Sequence, residues 1–190
     1  MSTRSGNQAA LLVVDMQVGV IAQAWQRDRI VANVALAVQR ARAAQVPVIW
    51  VQHDDDELQR GTPQWEWVPE LSPLTTDARC FKRYNSAFED TDLLPLLDQL
   101  GVSHIYLAGA VTNWCIRATA YGALDRGFDL TLIGDAHMTR DIELGPDHVV
   151  LARSMIDDLN LAMRWLSYPG RKNAVASAAE VDFGGGPAAS

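Results

Sequence analysis

Apolar residues in this chain follow two rhythms, and the rhythms alternate. Ala10 to Val14 is an unbroken apolar run, the mark of a strand buried on both faces. Ile30, Val34, Ala37, Val38, Ala41 and Ala44 then recur at helical spacing, with Arg40 and Arg42 on the other side. A second apolar run follows, Val46 to Val51. Strand, helix and strand in that order predict a parallel unit with a right-handed crossover. The alternation then resumes. A short strand is expected at Arg79–Lys82, and a helix through Leu93, Leu96, Leu97 and Leu100 that Gly101 ends. A strand at Ile105–Ala108 leads into a helix with Ile116, Ala120, Ala123 and Gly127 on one stripe. Phe128 to Ile133 predicts another strand. Val149, Ala152, Ile156, Leu159, Met163 and Leu166 predict a last long helix, with Pro146 near its start. Val175 to Phe183 fits an edge strand or a short helix. The pattern is that of an α/β fold: a doubly wound, Rossmann-like, mostly parallel sheet of about five or six strands with helices on both faces.

Residues 53–78 break the rhythm with three prolines, a glycine and two tryptophans. A loop this long in a compact domain usually serves function. Trp65 and Trp67 either wall a pocket or cover the sheet edge. Residues 1–8 and 184–190 carry no periodic pattern and are expected to be disordered. No repeat or linker divides the chain, so residues 1–190 read as a single domain. With 190 residues, 48% of them hydrophobic, the chain can bury a sizeable core. A net charge of -7 argues against nucleic acid or an anionic membrane as a partner. No apolar run reaches the length of a membrane span. Two cysteines make no disulfide framework, and no signal peptide is evident, so free thiols in the cytoplasm are expected.

The chemistry gathers at predicted strand ends. Asp15 stops the first apolar run, at the carboxyl edge where open α/β sheets bind ligands. Most such aspartates cap turns. Lys82 ends the short strand, and Tyr84, Ser86, Ala87 and Phe88 give it a mixed apolar setting. Cys115 falls in the first turn of the helix after the fourth strand, with Thr112 or Asn113 as N-cap. Unpaired N–H groups and the helix dipole favour a thiolate there, although most cysteines in packed helices are inert. Asp15, Lys82 and Cys115 together suit acyl transfer. The lysine stabilises a thiolate, the aspartate moves the proton, and backbone N–H groups before Cys115 hold an oxyanion. Gln17, Trp65, Tyr84, Phe88 and Trp114 are candidate substrate-binding residues. Of the four histidines, only His137 is expected near the pocket.

Val13-Val14-Asp15-Met16-Gln17, Lys82 with Ser86-Ala87-Phe88, and Gly109-Ala110-Val111-Thr112-Asn113-Trp114-Cys115 resemble the isochorismatase-like cysteine hydrolases. That family includes nicotinamidases and N-carbamoylsarcosine amidohydrolases. The resemblance implies an Asp15-Lys82-Cys115 triad, a cis bond at Ala110–Val111, and N–H groups of Val111 and Cys115 as the oxyanion hole. It also implies hydrolysis of a small molecule's amide, carbamoyl or lactam C–N bond through a thioester, and a homo-oligomer, dimer or tetramer. The family's nicotinamidases bind a metal through an Asp-x-His motif. Here Trp50-Val51-Gln52-His53 lacks that aspartate, so neither metal nor cofactor is expected. The acidic run Asp54–Asp56 reads as solvated. The presence of Cys115 argues against the vinyl-ether hydrolysis of isochorismatases proper. The alternative is a catalytically silent member of the same fold acting as a binding or scaffold protein. A nucleotide-binding module is disfavoured because no glycine-rich phosphate motif appears.

Overall fold

A computed structural model describes residues 3–184. Six parallel strands form one sheet: β1 (Gln8–Val14), β2 (Val48–His53), β3 (Ala78–Lys82), β4 (Val102–Ala110), β5 (Asp129–Met138) and β8 (Asn173–Ala176). Their order across the sheet is β3-β2-β1-β4-β5-β8. Strand order therefore reverses between β1 and β4, and the crevice outside their carboxyl ends is where such sheets bind ligands.

The strands are apolar on both sides because both sides are covered. Leu11 and Val13 of β1, Trp50 of β2 and Tyr106 and Ala108 of β4 pack against α2 (Arg27–Ala43) through Ile30, Val34, Ala37 and Ala41. Their alternating neighbours Leu12, Val14, Ile49, Val51, Ile105 and Leu107 face the other way. There they meet α3 (Leu93–Gln99), α4 (Arg117–Asp125) and α5 (Ala152–Trp165). A four-residue helix, α1 (Val18–Ile21), follows β1 directly. No helix among the described residues is long and apolar enough to cross a membrane. At the switch point the backbones of β1 and β4 nearly touch. A Cβ on Gly109 would lie 2.1 Å from the Val14 carbonyl oxygen, and its φ of 126° is one that side chains disfavour.

Two expectations change. Val149 belongs to a hairpin, β6 (Ile142–Gly145) with β7 (His148–Val150), not to the last helix. Its spacing to Ala152 mimics a helix, whereas Gly145-Pro146-Asp147 supplies the turn chemistry that wins. Helix α5 starts at Ala152, whose N–H donates to Asp141 Oδ1 across the hairpin. At the amino terminus the described residues are held. The Arg4 guanidinium stacks on Phe128, the Thr3 hydroxyl donates to the Gly127 carbonyl, and Gln8 begins β1. Residues 1–2 and 185–190 lie outside the described residues. The tail after α5 supplies the edge strand β8, one of the two forms expected for it, and beyond it Ala178, Val181 and Phe183 are buried.

The long irregular segment covers the sheet. Trp67 meets Trp50 edge-on at 5.1 Å between ring centroids, and Trp65 stacks on Phe81 at 6.1 Å. Gln17 staples this segment to the strands. Its amide donates to the carbonyls of His53 and Trp65, and its oxygen accepts from the His53 N–H.

Candidate active site

The carboxyl ends of four adjacent strands deliver Lys82, His53, Asp15 and, after a turn, Cys115 in spatial order across the sheet. Asp15 sits just past β1 with φ 52°, a left-handed conformation that turns its side chain out of the strand rhythm. Lys82 is the last residue of β3, aligned with His53 at the end of β2. After β4 the chain passes a cis peptide bond, Ala110–Val111. It then makes a π-helical turn, Thr112–Ile116, before α4. Cys115 lies inside that turn.

Neither Thr112 nor Asn113 is the N-cap. Val111 occupies that position, and no side chain caps the turn. Both residues instead reach sideways, Thr112 to β5 and Asn113 to the residue that follows it. The Thr112 hydroxyl lies 2.9 Å from His137 Nδ1, and Asn113 Oδ1 accepts from the Thr139 hydroxyl at 2.8 Å.

Lys82 Nζ is 2.7 Å from Asp15 Oδ2, and both side chains are shut off from solvent. The same ammonium lies 3.3 Å from Cys115 Sγ, 3.3 Å from His53 Nδ1 and 3.2 Å from the Tyr84 carbonyl. An ammonium has three protons, so four acceptors compete for them. Because Lys82 can only donate, His53 Nδ1 accepts. The ring proton is then on Nε2, 3.0 Å from Asp55 Oδ2. Asp15 Oδ1 is buried without a hydrogen-bond partner.

Burial dominates the electrostatics. It pushes the Asp15 carboxyl above its ordinary range against the opposing charge of Lys82. Burial alone would lower Lys82, but Asp15 and Cys115 hold it above its usual value. The Cys115 thiol is pushed up to about 12, by burial first and by the Asp15 charge next, with Lys82 opposing. The expected resting thiolate is therefore replaced by a thiol. Desolvation outweighs both the ammonium and the helix start. The thiol proton has to leave as the sulfur attacks; Asp15, which shares the Lys82 ammonium with the sulfur and has a buried oxygen without a partner, is the candidate acceptor.

Above these groups opens a cavity of about 690 Å³, within the range of small-molecule sites. Asp15, His53, Asn85, Val111, Trp114 and Cys115 contribute to its wall, with Arg140 and Ile142 from the segment after β5. Of the five candidate substrate-binding residues, only Trp114 lines it. Gln17 is fully buried in its staple, and Phe88 is core, stacked on Phe128. Trp65 lies over Phe81, and the side chain of Tyr84 points to solvent. The histidines exchange places. His53 reaches the cavity, whereas His137 is wholly buried beneath the turn. His53 follows its strand as directly as Asp15 follows β1, which is the signal that marks it. Among the described residues no group of three or more His, Cys, Asp or Glu side chains gathers as metal ligands. Asp54 pairs with Arg60 and Arg83, and Asp56 with Arg83.

A thiol, a carboxylate and an ammonium packed under a cavity at a sheet's switch point are the equipment of covalent nucleophilic chemistry. Residues 9–155 match the Isochorismatase domain family model, and the chain belongs to the isochorismatase family. It is 34% identical over 144 residues to a streptothricin hydrolase of Streptomyces noursei, covering 72% of this chain. The chain spans only 57% of that relative's length. A nicotinamidase 3 of Arabidopsis thaliana is 31% identical over 153 residues, covering 72% of this chain and 76% of the relative. The crystal structure of a cysteine hydrolase from Pseudomonas syringae pv. phaseolicola 1448A superposes with a TM-score of 0.83 at 25% identity, covering 95% of this chain and 96% of the other.

Proposed function

We propose that this protein is an amidohydrolase that cleaves a non-peptide C–N bond of a small molecule through a thioester on Cys115. The observation that carries the reading is the buried Asp15–Lys82 pair, 2.7 Å apart, with the Cys115 sulfur 3.3 Å from the ammonium and Asp15 Oδ1 unpartnered. Asp15 takes the thiol proton as sulfur bonds to the carbonyl carbon. The N–H groups of Val111 and Cys115 hold the oxyanion. Asp15 then protonates the departing nitrogen, the C–N bond breaks, and the thioester remains. Water, deprotonated by Asp15, attacks the thioester, and the thiol recovers its proton as the carboxylic acid leaves. Throughout, Lys82 opposes the protonation of Asp15 that burial favours and offsets the negative charge that builds on the sulfur. The names of the two relatives, a streptothricin hydrolase and a nicotinamidase, support a compact amide, carbamoyl or lactam as substrate. The active form is proposed to be a homo-oligomer, because Trp165 on α5 is 75% exposed together with Leu161.

The test is a screen for ammonia or amine release over small amides, carbamoyl compounds, lactams and nicotinamide, with Cys115→Ala as blank. Turnover that vanishes in the blank is the expected result. Turnover that survives it overturns the assignment.

A further inference from the structure

His137 is the one fully buried histidine, and the hydrolytic sequence above does not use it. Its position comes from an irregularity in the sheet. Leu107 of β4 pairs with Leu132, but Gly109 pairs with His137, so four residues of β5 bulge where β4 has one. Bulges of this kind re-aim side chains beside active sites. The excursion is clamped: the Asp135 carbonyl accepts from Asn33 Nδ2, and its carboxylate from the Ala178 N–H.

The hydrogen bonds around the ring fix its proton. Asn160 Nδ2 donates to the Gly134 carbonyl at 2.9 Å, so the amide's Oδ1 is the atom facing His137 Nε2 at 3.1 Å. Nε2 therefore carries the proton, and Nδ1 accepts from the Thr112 hydroxyl at 2.9 Å. Burial holds the ring neutral, lowering it to about 4 against the opposing effects of Asn160 and Asp135. The chain Gly134–Asn160–His137–Thr112 has one direction, and it ends on the residue after Val111. Burying a ring whose nitrogens lacked partners would be costly, and both nitrogens of His137 have one. Here its free end is spent on the turn that carries the nucleophile.

We propose that His137 is a positioning residue: a neutral acceptor that, by holding Thr112 against β5, aims the Val111 N–H at the oxyanion. The inference rests on the oxyanion reading above.

Two probes of Cys115 separate it from general packing. Acetaldehyde adds to the thiol: sulfur bonds to the carbonyl carbon, the carbonyl π pair moves to oxygen, and the thiol proton passes to Asp15. That oxygen needs the oxyanion donors. Alkylation by iodoacetamide displaces iodide at a saturated carbon and does not. Both are read on Cys115 by mass spectrometry in a Cys80→Ser background, the aldehyde through its protection against alkylation. His137→Ala should weaken acetaldehyde about tenfold and leave the alkylation rate within about twofold. Thr112→Val should do the same, and the double variant no more, because both break one bond. His137→Asn, whose carbonyl oxygen can stand where Nδ1 stands, should recover most of the loss. The proposal is overturned if both single variants leave acetaldehyde affinity unchanged, if both probes weaken together, or if His137→Asn recovers nothing. If His137→Ala does not fold, Thr112→Val decides alone. Failure of the parent protein to bind acetaldehyde at Cys115 would refute the oxyanion reading and this inference with it. Binding in the parent with no change in the variants refutes this inference only.

Discussion

Replacing Lys82 by Met shortens the side chain by one atom and removes its charge. Asp15 then stands fully buried with Oδ1 unpartnered and Oδ2 deprived of the ammonium 2.7 Å away. Breaking a buried pair by removing one partner costs about 3–5 kcal/mol. The carboxyl escapes part of this by taking up a proton, and that makes the loss depend on pH. Burial already raises Asp15 above its ordinary value with Lys82 opposing it, so without Lys82 it rises further. A carboxyl raised in the fold binds its proton more tightly there than in the unfolded chain. Its stabilising contribution is complete below the unfolded value and is lost as pH rises through the folded one. The deficit of Lys82→Met relative to the parent should therefore be small near pH 4. It should widen by up to about 1.4 kcal/mol per pH unit and level off at about 3–5 kcal/mol near neutrality. Adding Asp15→Asn should remove the pH dependence and recover most of the deficit. Urea unfolding of the three variants from pH 4 to 8 measures this. A deficit constant across that range, or one that Asp15→Asn does not reduce, would refute the coupling of Lys82 to Asp15.

Three further outcomes are expected. Cys115→Ser should flatten the alkaline decline in stability. The thiol is raised from 9.0 to about 12 in the fold, so its contribution is complete below pH 9 and is lost as pH rises towards 12; thermal melts at pH 8 to 11 read it. Gly109→Ala should lower stability by about 3 kcal/mol or more, because the new methyl meets the Val14 carbonyl oxygen at 2.1 Å and the backbone cannot yield; its melting temperature should drop sharply, whereas Gly61→Ala, with open space around it, should lose far less. Exhaustive chelation should leave hydrolysis unchanged; activity lost to chelator and restored by a divalent ion would show that Asp55 and His53 serve a cation.

The sheet was legible because strands covered on both faces must be continuously apolar. Leu11 to Val14 and Ile49 to Val51 have no polar interruption to confuse them. Asp15 is legible for a related reason: a charge directly after a buried run has to fall on the sheet's edge, whereas Lys82 ends a strand that alternates buried and exposed residues and is marked only by its place at the strand's end. The cavity walls were harder. Tyr84 and Phe88 lie close in sequence to a strand end and Trp65 in the middle of a long loop, but which way an aromatic turns depends on partners elsewhere in the chain, Phe128 for Phe88 and Phe81 for Trp65. The protonation of Cys115 is not legible in the sequence, because helix-start arguments count nearby charges and not burial, and burial is the larger effect here. The burial of His137 beneath the turn is not legible, since nothing local announces a four-residue bulge in β5.

The central claim is that Cys115 carries the acyl group. Intact-protein mass spectrometry of a quenched turnover, followed by peptide mapping, tests it without reference to stability or rates. The account predicts a transient mass increase equal to the acyl part of the substrate, located on Cys115, lost on longer incubation and absent from Cys115→Ala. An adduct on Cys80, or full turnover by Cys115→Ala, would contradict it.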